Sequence, residues 1–304
     1  MSRTVALTGA TGLLGGHLRA ALRDRRVVVL SRRPTELASN ETRRPLDLAA
    51  PVELDLPTGS TLVHLVYVYA DDRANLDYTR HLIEAVNRSP EVHHVVLISS
   101  VSVYGWSGSG VIDETTPCRP DSEYATIKLE CEQLWRELLR ADCRLSILRP
   151  SIIVAPGGLA LQAVINDALH RPLLAVLKRT LSGRSSMHFV AVHNVVEAIR
   201  LLIDHAGDDT CETFIVADDD APENATYGAL QDAVRAVEGR GPLPTLPFPA
   251  WAVRRIAAAL HRPFGIRHFS TDALRALGYQ PPSSLAEEIS RTVHASNPAL
   301  PPSP

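Results

Sequence analysis

Three residue types able to hold and move a proton stand near one another in this 304-residue chain: Ser100, Tyr124 and Lys128. The stretch 123–140 reads as a helix, with Leu129, Leu134, Leu138 and Leu139 giving a partly helical apolar spacing. Tyr124 and Lys128, four apart, then project from one face on successive turns. A free phenol, with a pKa of about 10, is a poor proton donor or acceptor at neutral pH. An ammonium beside it favours the phenolate and brings proton exchange with a substrate oxygen into the working range. A serine hydroxyl at the same point supplies a second hydrogen bond to the developing charge. Because the Y-x-x-x-K spacing also occurs on ordinary surface helices, its meaning depends on the elements that position it.

Those elements can be read upstream. The apolar run 4–7 leads into Gly9, Gly12 and Gly15, spaced G-x-x-G-x-x-G, and 17–25 reads as helix. A strand, a glycine turn and a helix N-terminus in that order can hold a pyrophosphate on free N–H groups. Glycine also marks ordinary tight turns, but strand and helix flank these three as a phosphate cradle requires. A second strand, 27–30, runs into Ser31, Arg32 and Arg33. An acidic residue there would bind both ribose hydroxyls, whereas arginine accommodates a 2′-phosphate, so Arg32 and Arg33 argue for NADP over NAD. Residues 45–48 read as another strand end, where Asp47 meets an adenine amino group or caps a turn.

Strands at 61–66 and 95–98, with a helix at 72–87 between them, continue the alternation. That rhythm predicts an α/β fold with a Rossmann-type, doubly wound parallel sheet and a site at the strand C-terminal ends, where Ser100 falls. The expected division is a cofactor-binding unit over 1–150, a smaller C-terminal substrate lobe over 151–296 with some chain returning to the core, and a disordered tail over 297–304. In the lobe, 159–169 and the amphipathic 251–260 read as helices, 242–249 as a proline-rich connection, and Lys178, Arg179 and Arg184 could meet a diphosphate.

Composition narrows the function. A net charge of -3 leaves no electrostatic footprint for nucleic acid, so a small-molecule partner is expected. Cys118, Cys131, Cys143 and Cys211 lack the pairing of a metal site and fit a reducing compartment. His64, His93, His94, His188 and His193 read as structural or surface residues, and no metal is expected. No apolar run approaches the ~18 residues of a membrane span and a strand begins within three residues of Met1, so a cytoplasmic protein without leader or membrane contact is expected.

The motifs T-G-x-x-G-x-x-G (8–15), H-L-V (64–66), S-S-x-x-V-Y-G (99–105) and D-E-x-x-P-x-x-P-x-x-x-Y-x-x-x-K (113–128) occur in that order. Together with L-R-P at 148–150, H-F-V-A-V-H-N-V at 188–195 and L-G-Y-Q-P at 277–281, the chain resembles the extended short-chain dehydrogenase/reductases, the nucleotide-sugar epimerase/dehydratase group. The resemblance implies that Tyr124 is the general acid or base, that Lys128 lowers its pKa and holds the nicotinamide ribose, and that Ser100 binds the same substrate oxygen. It implies cofactor contacts at Gly9, Thr11, Gly12, Leu13, Leu14 and Gly15, at Asp47 and Leu48, at Leu65 and Val66, and at Pro150, beside Arg32, Arg33, Tyr124 and Lys128.

Departures from the family pattern narrow the branch. Val101 and Ser102 follow Ser100 where dehydratases carry an Asp-Glu pair, and none of 100–105 is the cysteine of fucose-forming epimerase-reductases. A reductase or a 4-epimerase remains. An epimerase retains NAD whereas a reductase exchanges NADPH, so Arg32 and Arg33 tilt the expectation toward reduction. The first two thirds is similar to the 4-ketoreductases that act on nucleotide-linked 4-keto-6-deoxysugars in antibiotic glycosylation, which implies a dTDP-linked keto-sugar substrate and a homodimer. Ile152 stands where many nucleotide-sugar members have a phosphate-binding asparagine, which keeps a hydrophobic ketone open. A cofactor-binding scaffold without catalysis would have no need of the complete Ser100, Tyr124 and Lys128 set.

Overall fold

The computed structural model describes residues 4–105, 110–182, 185–205, 207, 210–246 and 267–296. Arg184, the 251–260 stretch, the end of the proline-rich connection and the 297–304 tail lie outside the described residues.

Strands β1 (Val5–Thr8), β2 (Val27–Ser31), β3 (Glu41–Pro45), β4 (Ser60–His64), β5 (Val92–Ile98), β7 (Arg144–Pro150) and β10 (Cys211–Val216) form one sheet in the order β10-β7-β5-β4-β1-β2-β3. Every pairing in it is parallel. The chain builds outward from β1 to β3, then returns to the other side of β1 with β4. The reversal opens a crevice at the C-terminal ends of β1 and β4, the usual ligand position in such sheets.

A parallel sheet covered on both faces needs strands that are apolar at every position. All four residues of β1 are buried, and alternate residues feed opposite cores. Val5, Leu7, Val27, Val29, Val63 and Val96 pack on one face with α1 (Leu13–Ala21) and α6 (Val192–Asp204). Ala6, Val28, Leu62, Val95, Leu97 and Ile147 pack on the other with α2 (Ala74–Arg88) and α3 (Glu123–Leu138).

Beyond β7 the chain turns into β8 (Ile152–Val154), which pairs with β9 (Phe189–Ala191). Around this pair, α4 (Gln162–His170), α5 (Pro172–Ser182), α7 (Tyr227–Val237) and α9 (Leu285–Ser296) close a further core. Val154, Val164, Ile165, Leu230, Val234, Ile289 and Val293 fill it. A last pair, β6 (Gly110–Ile112) with β11 (Arg267–Phe269), precedes the short α8 (Asp272–Ala276). Among the described residues, no helix is long and apolar enough to cross a membrane.

Two elements sit differently from the sequence expectation. Helix α1 begins at Leu13 rather than at residue 17, because Gly12 takes an extended N-cap conformation and Gly15 and Gly16 continue the helix. The third strand lies at Glu41–Pro45, not at 45–48, since Thr42, Arg43 and Arg44 form an exposed edge that lacks the apolar pattern of a central strand.

Candidate active site

The groove at the β1/β4 crevice has a volume of about 440 Å3. Gly9, Thr11 and Gly12 line its floor, Arg32, Arg33, Asp47 and Leu48 one end, and Leu65, Val66 and Tyr67 the other. Gly9 has φ +69°, and a Cβ there would lie 3.0 Å from the Leu65 carbonyl carbon. At Gly15 a Cβ would lie 2.3 Å from the Gly9 carbonyl oxygen, so helix and turn close on each other only with glycine. No side chain caps α1, which leaves the N–H groups of its first turn, Leu13 and Leu14 among them, without an intrahelical acceptor. These features fit a dinucleotide pyrophosphate.

Arg32 and Arg33 follow β2 at the surface, and neither forms an ion pair among the described residues. Arg43, which the sequence reading passed over, braces their turn from β3. Its guanidinium donates to the carbonyl oxygens of Arg32 (2.8 Å), Arg33 (3.1 Å) and Ser31 (3.1 Å). Two uncommitted guanidinium groups on a braced turn suit a doubly charged phosphate. Asp47 accepts from the Ala49 backbone N–H at 3.1 Å, a turn cap at the groove edge. Pro150, by contrast, ends β7 as a buried residue and does not line this groove.

Ser100, Tyr124 and Lys128 meet beyond the Tyr67 end. Ser100 follows β5 and opens a tight 3-10 turn, Val101–Tyr104, by accepting from the Ser102 N–H at 3.2 Å. Ser122 caps α3 by accepting from the Ala125 N–H at 3.2 Å, which sets Tyr124 in the first turn and Lys128 one turn on. Lys128 is 9 % exposed, donates to the Ile98 carbonyl at 3.0 Å, and lies 4.5 Å over the Tyr67 ring. Burial lowers its pKa to about 8.

Tyr124 sits in an aromatic cluster that the sequence reading missed. Its ring stacks on Tyr69 at 5.8 Å and meets the Tyr67 edge at 4.9 Å. The signal was the Tyr67-Val68-Tyr69 alternation after β4, which sends both rings to one side. Burial pushes the Tyr124 phenol above its ordinary value, Tyr69 pushes the same way, and the Ser100 hydroxyl opposes both. Lys128, expected to make this phenol acidic, instead turns its ammonium to the Ile98 carbonyl and the Tyr67 face, and burial decides the direction of the shift. A phenol held neutral can donate a proton.

A buried ion pair holds this assembly together. Arg149 of β7 donates to both carboxylate oxygens of Glu132 on α3, at 3.0 and 2.6 Å, and to the Tyr104 hydroxyl at 2.6 Å. Burial works against the Arg149 charge, but the hydrogen bonds and charge of Glu132 outweigh it and raise the pKa. The pair locks the Tyr124 helix to the turn that carries Ser100. His64 is also structural: burial and the nearby Lys128 charge lower its pKa to about 3, and its Nδ1 is hydrogen-bonded with Thr8 Oγ1 at 2.7 Å.

The lobe cations differ from those of the groove. Lys178 pairs with the buried Asp167, and Arg179 binds both oxygens of Asp232 at 2.8 and 2.9 Å. Neither charge is left over for a diphosphate in this arrangement. Among the described residues, no group of His, Cys, Asp and Glu side chains could hold a metal ion.

No curated protein matches the chain. Solved structures do, over nearly its whole length. MoeE5 in complex with UDP-glucose and NAD is 21 % identical, covering 98 % of this chain and 99 % of its own, with a TM-score of 0.70. UDP-glucuronic acid 4-epimerase from Bacillus cereus in complex with NAD is 17 % identical, covering 97 % and 98 %, at 0.71. RMD from Pseudomonas aeruginosa complexed with NADPH is 19 % identical, covering 99 % of each chain, at 0.70. At such identities the likeness carries the fold alone. The sequence itself matches the NAD dependent epimerase/dehydratase family over residues 5–217. With that match, the glycine-turn groove and the sheet order, the chain belongs to the NAD dependent epimerase/dehydratase family, and is an NAD(P)-dependent enzyme of the extended short-chain dehydrogenase/reductase type.

Proposed function

We propose that the protein is an NADPH-dependent ketoreductase acting on a nucleotide-activated keto-sugar, a dTDP-linked 4-keto-6-deoxysugar being the first candidate. The observation that carries the cofactor choice is Arg32 and Arg33 at the groove end, without an ion pair among the described residues and braced by Arg43. The preference for reduction over epimerisation follows from that cofactor choice, and Tyr124, held neutral by burial, is placed to supply the proton.

NADPH, when bound, supplies the hydride. The protein's part is to orient and polarise. Ser100 and Tyr124 hydroxyls converge on the carbonyl oxygen, and Tyr124 delivers its proton to the oxygen as negative charge develops there. The resulting phenolate gains from the Lys128 ammonium one helical turn away, so a charge that is costly to bury becomes useful at that step. Arg32 and Arg33 hold the 2′-phosphate, and the first turn of α1 holds the pyrophosphate.

The nucleotide-sugar substrate is supported by the family motifs and by similar structures bound to UDP-glucose. A second reading, an uncharged hydrophobic ketone, is favoured by the internally paired Lys178 and Arg179 and by Ile152. Thermal-shift measurements with the four nicotinamide cofactors, then with nucleotide sugars, test the proposal. Stabilisation by NADPH and NADP beyond that by NADH and NAD is expected, followed by further stabilisation with a dTDP-sugar. Protein purified with tightly held NAD, and indifferent to added NADPH, would instead identify an epimerase.

A further inference from the structure

A second constellation stands apart from Ser100, Tyr124 and Lys128. Ser186 and His188, two apart on the segment leading into β9, present their side chains to one side. His188 Nδ1 lies 2.7 Å from Asp219 Oδ2, and its Nε2 lies 3.2 Å from Ser186 Oγ. With the Nδ1 proton given to the carboxylate, Nε2 keeps the lone pair that accepts the Ser186 proton. Both His188 and Asp219 side chains are at most 3 % exposed. Asp219 Oδ2 also accepts from the Phe269 N–H at 2.8 Å, and the Phe269 ring meets His188 edge-on at 4.8 Å, so carboxylate and imidazole are fixed in place.

That is the arrangement of orienting acid, base and nucleophile that activates a serine. The Arg267 backbone N–H donates to Ser186 Oγ at 3.3 Å and so fixes the position of the hydroxyl oxygen. Ser186 and His188 face a cavity of about 430 Å3 whose walls include Ile152, Val164, Met187 and Tyr227 together with the paired Asp167 and Lys178. A tie between strands needs only the His188 to Asp219 contact. It does not need a hydroxyl on the opposite ring nitrogen at the edge of an apolar cavity.

We propose that Ser186, His188 and Asp219 form a second reactive centre, in which Ser186 is a nucleophile toward small apolar esters. Ser186 Oγ bonds to the ester carbonyl carbon while its proton passes to His188 Nε2. The ester C–O bond then breaks, and the leaving alcohol takes that proton. Water, deprotonated by His188, attacks the acyl-serine, releasing a carboxylic acid and restoring Ser186.

The test treats the full-length protein with a fluorophosphonate, which forms an Oγ–P bond and expels fluoride, and follows hydrolysis of p-nitrophenyl butyrate. Mass spectrometry is expected to find the adduct on Ser186. Ser185→Ala is expected to keep it and Ser186→Ala to lose both adduct and hydrolysis. His188→Gln and Asp219→Asn are expected to slow labelling at least about tenfold while melting stays cooperative. Absence of the Ser186 adduct, hydrolysis surviving in Ser186→Ala, or undiminished labelling in His188→Gln would each overturn the proposal. Should His188→Gln not fold, the wild-type adduct map and the Ser186→Ala kinetics decide it.

Discussion

Replacing Lys128 with methionine isolates what it costs to keep a charge under the aromatic cluster. The side chain is almost fully buried, and its pKa falls from 10.5 to about 8. At about 1.4 kcal/mol for each tenfold change in proton affinity, burial sets about 3 kcal/mol against the ammonium at pH 7. The hydrogen bond to Ile98 and the contact with the Tyr67 ring return about 1 kcal/mol each. Lys128→Met is therefore expected to be about 1 kcal/mol more stable than the parent at pH 7, and inactive.

The pH dependence is the sharper part of that expectation. The folded protein releases the Lys128 proton near pH 8, whereas the unfolded chain holds it up to 10.5. Between those values the unfolded state binds more protons, so the parent gains stability as pH rises and loses it again as pH falls through 8. The advantage of the methionine variant should shrink across that window by about 3 kcal/mol and change sign before its upper end. Urea denaturation of both proteins at pH 7 and pH 10 measures the difference, with other lysines cancelling in the comparison. A stability gap that stays constant between the two pH values would refute the buried-ammonium argument.

Arg32→Ala combined with Arg33→Ala removes two charge-assisted contacts and should weaken NADP binding about a hundredfold while changing NAD binding little; equal losses in calorimetric titrations would remove the 2′-phosphate assignment. Glu132→Gln leaves the Arg149 guanidinium buried without its counter-charge and should cost about 3 kcal/mol in urea denaturation, with a cost below about 1 kcal/mol contradicting the ion pair's role as a lock.

The sheet was legible because its strands are buried on both faces and read as continuous apolar runs, Val27 to Leu30 and Thr61 to Val63 being the plainest. The groove was legible because only glycine permits the contacts at Gly9 and Gly15, so the chain shows the constraint directly. Strand β3 was displaced in the sequence reading because an exposed edge strand carrying Thr42, Arg43 and Arg44 has no apolar pattern to find. The ionisation of Tyr124 was not legible at all. Spacing places a lysine one turn away, but burial and the Tyr69 ring, which arrives from a loop after β4, decide the direction of the shift. Likewise Lys178 and Arg179 read as free cations until the fold brings Asp167 and Asp232 to them.

The most direct test of the proposed chemistry is single-turnover oxidation of NADPH by Tyr124→Phe in the presence of a keto-sugar nucleotide that the parent reduces. The account predicts that the variant binds NADPH within about twofold of the parent and that its rate falls at least about a hundredfold, since only the proton donor is gone. A rate within about threefold of the parent would mean that the proton comes from another group, and that the site has been read wrongly.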